Sequence, residues 1–79
     1  MHEYRVAFQL EDETVTITLD SPIDPASLIL GDDYTYGEYE YVQECLTALE
    51  DRARREHDVV GLHEFSHVIC PDGTVIQPT

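Results

Sequence analysis

Within residues 36–57, Val42, Cys45, Leu46, Leu49 and Ala53 recur at steps of three and four, with Glu, Asp and Arg filling most positions between them. That spacing draws one apolar stripe along an α-helix of about six turns and does not fit a strand, whose side chains change face at every residue. The order of charges agrees. Glu38, Glu40 and Glu44 come early and Arg52, Arg54 and Arg55 late, as the helix dipole prefers. Thr35 and Glu38 have capping-box spacing, while Glu50 with Arg54 and Asp51 with Arg55 are placed for i,i+4 ion pairs.

A single apolar stripe needs a surface to cover, and the segments on either side of the helix supply one. Residues 4–10 alternate Tyr4, Val6, Phe8 and Leu10 with Arg5, Ala7 and Gln9, and residues 14–19 alternate Val15, Ile17 and Leu19 with three threonines. Both patterns predict strands with one apolar and one polar face, joined through Glu11, Asp12 and Glu13 in a hairpin that lacks the usual Gly. The connection over residues 20–37 holds Asp24-Pro25, an N-cap and first-turn pair, and Gly31, so one or two helical turns are expected there. After the helix, Val68-Ile69 and Val75-Ile76 flank Cys70-Pro71-Asp72-Gly73-Thr74, which predicts a second hairpin. The expected fold class is α+β, in the order β-β-α-β-β: a four-stranded antiparallel sheet with one long helix packed on one face, residues 1–79 forming a single domain.

Charge decides the setting. Seventeen Asp and Glu stand against four Arg and no Lys, a net charge of −13 on 79 residues. Such a compact state repels itself in dilute buffer, whereas molar salt shortens the screening length to about 3 Å and removes most of the repulsion. Disorder does not explain the acidity, because the chain is 42% hydrophobic and its apolar residues fall in periodic runs. In composition, over its whole length, the chain resembles the small acidic proteins of haloarchaea, a resemblance that implies salt tolerance and no particular activity. Three clustered arginines in so acidic a field make nucleic acid an unsuitable partner. The opening residues, MHEYRVAFQLEDE, have no basic start followed by a long apolar run, and no stretch approaches a membrane span, so a cytoplasmic place without membrane attachment is expected. There Cys45 and Cys70 stay reduced as small buried hydrophobes. A core this small predicts self-association, most simply as a homodimer.

One segment could carry chemistry. His63-Glu64-Phe65-Ser66-His67 fits H-E-x-x-H, with uncharged flanks Val60-Gly61-Leu62 and Val68-Ile69. Over these residues the chain looks like a zincin metalloprotease, a resemblance that implies zinc held by His63 and His67 and water activated by Glu64. Sharing one ion requires a helix, on which residues four apart lie about 6 Å apart. A strand separates them by about 13 Å while keeping both on one face, with Cys70, the chemically suitable third ligand, on the other. Gly61, the β-branched pair and the adjoining turn favour the strand. His2 and His57 are expected at the surface, and the acidic clusters at 11–13 and 32–33 do not match a calcium loop.

Tyr34, Tyr36, Tyr39 and Tyr41 form the remaining candidate, a stripe suited to a protein partner. The sequence therefore favours a non-enzymatic accessory or protein-interaction domain, with the zinc hydrolase as the alternative. Folding should depend on salt: the thermal midpoint followed by circular dichroism is expected to rise from dilute buffer to molar KCl, and an unchanged midpoint would refute the salt-adapted reading of the charge.

Overall fold

The computed structural model describes residues 1–78. Strands β1 (His2–Leu10) and β2 (Glu13–Ser21) form the first hairpin, helix α1 spans Tyr36–Glu56, and β3 (Glu64–Ile69) and β4 (Val75–Ile76) form the second hairpin. All pairings are antiparallel and the strand order is β2-β1-β3-β4, so β1 is central although it comes first in the chain. Alternation in β2 buries Ile17 and Leu19 and exposes Thr14, Thr16 and Thr18. On the central strand Tyr4, Val6 and Phe8 are fully buried beneath α1, whose Val42, Cys45, Leu46, Leu49 and Ala53 complete the core. No helix among the described residues is long and apolar enough to cross a membrane.

The helix begins as its residues dictate. Glu38 N–H donates to Thr35 Oγ1 at 3.1 Å and Thr35 N–H to Glu38 Oε1 at 3.4 Å, closing the capping box. At the other end the Glu50–Arg54 pair forms at 2.9 Å, but Arg55 donates to the Asp51 carbonyl instead of its carboxylate, and Arg52 lies 3.7 Å from Glu56. The expected Asp51–Arg55 ion pair is thus replaced by a main-chain contact, an inexpensive exchange on an exposed face. Ahead of the helix, Asp24 caps a short 3-10 turn at Pro25–Leu28 whose Leu28 is buried. Tyr4, the one tyrosine inside the core, donates to Ile23 O at 2.6 Å and so anchors the start of this connection, and burial pushes its phenol up to about 12.

The two hairpin turns solve the same problem differently. Gly73 adopts φ +94° after a turn closed by Gly73 N–H to Cys70 O at 2.9 Å and Cys70 N–H to Thr74 O at 2.8 Å. Glu11 sits at φ +54° in the two-residue turn between Leu10 and Glu13, a conformation that a side chain adopts with strain. Gly73→Ala is therefore expected to destabilise the fold by about 1 kcal/mol, with no steric clash to add, and Glu11→Gly to leave stability unchanged or raise it by up to about 1 kcal/mol. Denaturant midpoints of the two variants measured together check the pair, since opposite or unequal responses are required.

Candidate functional site

The H-E-x-x-H residues lie at the entry to and along β3, not on a helix. Register fixes where each side chain goes. Gln9 pairs with Glu64 and Phe8 with Phe65, but Ala7 pairs with His67, so Ser66 is an extra residue and β3 carries a bulge. Because successive residues of β1 face opposite sides, Phe65 shares the core face of Phe8 while Glu64 and His67 share the outer face of Gln9 and Ala7. His63 is buried beneath the sheet edge, whereas Glu64 is exposed and His67 half-buried, its Nδ1 2.9 Å from Ser66 Oγ. A plain strand would have kept both histidines on one face, and the bulge separates them.

The same bulge corrects the expectation for Cys70. Val68 returns to the core opposite Val6, and Cys70, two residues on, is 1% exposed in that core, on His63's side of the sheet and away from His67. Burial, and then the Asp72 carboxylate, push its thiol up, away from the thiolate that binds zinc. Among the described residues no group of three or more His, Cys, Asp or Glu is disposed to hold a metal ion.

His63 itself is unusual. Its Nε2 lies 3.4 Å from Glu13 Oε2, reached across Leu10, yet neither ring nitrogen makes a hydrogen bond. The residue is held by its main chain. Arg54 donates from Nη2 to His63 O at 2.7 Å, from Nη1 to Val60 O at 2.8 Å and from Nε to Glu50 at 2.9 Å, with its guanidinium carbon 4.8 Å from the Phe8 ring centre. Spacing alone gives Arg54 its i,i+4 partner and its place at the helix C-terminus, while the carbonyls it collects are brought to it by the turn at Asp58–Val60.

The tyrosines divide. Tyr39 lies between Tyr34 and Tyr36 at ring-centre distances of 6.3 and 6.5 Å and interplanar angles of 23° and 24°. Tyr41, two residues further along the helix, leaves on another side next to Ser27 and Thr35. Beside the stacked rings runs a groove of about 350 Å³ lined by Ile29, Leu30, Tyr34 and Tyr39 and, from the sheet edge, by Val75 and Ile76. Ile29, Tyr34 and Val75, which line it, are each about half exposed, and Tyr36, stacked on Tyr39 outside it, is three-quarters exposed.

His63→Leu keeps the apolar contacts and removes two unpaired buried nitrogens, so it is expected to raise stability by about 1 kcal/mol, read from thermal or denaturant midpoints. A lower midpoint would mean that the imidazole makes a favourable contact with Glu13 that outweighs its burial.

The chain matches no protein-family model, no curated protein and no solved structure.

Proposed function

We propose that this chain is a non-enzymatic protein-interaction domain of a salt-rich cytoplasm, docking through the tyrosine-lined end of α1. One observation carries the reading: Ile29, Tyr34 and Val75, all exposed, line one groove together with Tyr39, while His63, Glu64 and His67 are divided between the two faces of the sheet. Aromatic side chains in a partly enclosed apolar setting are the residues that dominate protein interfaces. Molar salt favours such a surface, since it screens charge and strengthens apolar association.

A homodimer belongs to the same reading and is favoured by β2. This strand is nine residues long and lies at the sheet edge, where pairing about a two-fold axis would join two sheets without using the groove. Arg52 already occupies one outward carbonyl, donating to Asp20 O at 2.6 Å, which places the open part of the edge at the threonines.

Light scattering in molar KCl is expected to give about twice the 9.0 kDa chain mass, with dilution shifting amide signals of β2 and not those of Tyr34 or Val75. A mass of one chain at high micromolar concentration removes the dimer and leaves the docking end standing. The hydrolase alternative is tested by zinc analysis of protein purified without added metal: stoichiometric zinc that is lost in His67→Ala would replace the interaction reading with a metal site.

A further inference from the structure

The groove lies alongside β4, which among the described residues has no strand on its far side. Cys70 N–H donates to Thr74 O, which makes Cys70 and Thr74 a hydrogen-bonded pair of the second hairpin. Antiparallel pairs alternate, so Ile69 and Val75 form the next, non-hydrogen-bonded pair, and the N–H and C=O of Val75 point away from β3. The open edge of β4 thus presents the Val75 N–H and C=O beside a groove that Tyr34, Tyr39, Ile29 and Leu30 also line. An extended segment laid there meets hydrogen bonds on one flank and apolar pockets on the other, the two requirements of recognition by strand addition.

Charge selects the kind of segment. No Arg or Lys occurs between Arg5 and Arg52. Asp32 and Asp33 lie in the chain between the lining residues Leu30 and Tyr34, Glu40 and Glu44 follow Tyr39 and Gln43 on the helix, and Asp72 stands in the turn before Val75. Arg52, Arg54 and Arg55 lie at the other end of α1, about 20 Å away at 1.5 Å per residue, and Arg5, in the same row as Ile69 and Val75, lies two strands from β4 on the sheet face away from α1. A second copy would bring its own −13 to this acidic rim, whereas basic flanks would be attracted to it.

We infer that the groove takes an extended, largely apolar segment of another protein, flanked by Lys or Arg, which pairs with the open edge of β4 as a fifth strand. This inference rests on the reading of the tyrosine end as the docking surface and adds the shape and charge of what docks.

Synthetic peptides of about eight residues test it, with alternating Val and Thr at the centre and either Lys or Glu at the ends. They are titrated against the full chain by NMR, in molar KCl and in the lowest salt at which circular dichroism shows the native fold. The Lys-flanked peptide is expected to bind and to move the amide signals of Tyr39, Val75 and Gln77. N-methylation of its alternate backbone nitrogens, in each of the two registers, should weaken binding about tenfold or more in the register that faces β4. Val75→Pro should do the same while keeping the fold, because the N–H it removes faces outward. The Glu-flanked peptide should bind less well in low salt, with the difference shrinking in molar KCl. Equal binding of every N-methylated peptide overturns strand addition but leaves the docking surface, and equal binding of the two flanked peptides in low salt overturns the basic partner. Groove signals that respond to dilution of the protein and to no peptide would assign the groove to a second copy and overturn the inference. A groove silent in all these measurements would sink the docking reading itself.

Discussion

One guanidinium holds the two halves of the fold in register. The chain leaves α1 at Glu56 and must re-enter the sheet at Glu64 beside the central strand, and the short turn between them exposes carbonyls that no strand or helix partner reaches. Arg54 gathers two of them, Val60 O and His63 O, while staying tied to Glu50 on its own helix and resting on the Phe8 ring. Each bond to a charged donor is worth about 1.5–3 kcal/mol, and the planar fork meets three acceptors at once where a lysine would meet them singly. The ladder to β1 then carries β3 along the sheet from the point where this side chain holds residues 60–63.

Much of that architecture is legible in the sequence because it is local. The helix follows from the period of Val42, Cys45, Leu46, Leu49 and Ala53, its start from Thr35 and Glu38, and the second turn from Pro71, Asp72 and Gly73. The bulge at Ser66 is not legible. Nothing in residues 62–69 marks an extra residue, since a bulge is a relation between two strands and Ala7 and Phe8 lie nearly sixty positions earlier. For the same reason the sequence groups four tyrosines that the structure divides, and it cannot gather Ile29, Tyr34 and Val75 into one groove. Arg54 illustrates the limit from the other side: its ion pair with Glu50 is a matter of spacing, its grip on the turn a matter of tertiary placement.

Charge is segregated as well as abundant. Three of the four cations stand at the C-terminal end of α1, where they satisfy the dipole and the turn, while the first turns of the helix carry carboxylates and tyrosines and the fourth cation, Arg5, lies on the opposite face of the sheet. A helix running about 30 Å along a molecule 37 Å in its longest dimension makes these separate surfaces. The cationic end is occupied with internal bonds to Glu50, Val60, His63 and Asp20.

The bulge in β3 has a colloidal consequence. Among the described residues β4 pairs with only Val68 and Ile69, so residues 64–67 add a further stretch of open sheet margin to the edges at β2 and β4, and an uninvited strand could pair there. In dilute cytosol a chain of this charge would be kept from its neighbours by long-range repulsion, but brine erases that protection beyond a few ångströms. An extra residue that breaks the repeat of the ladder at Ser66 obstructs such pairing by its shape, at any ionic strength.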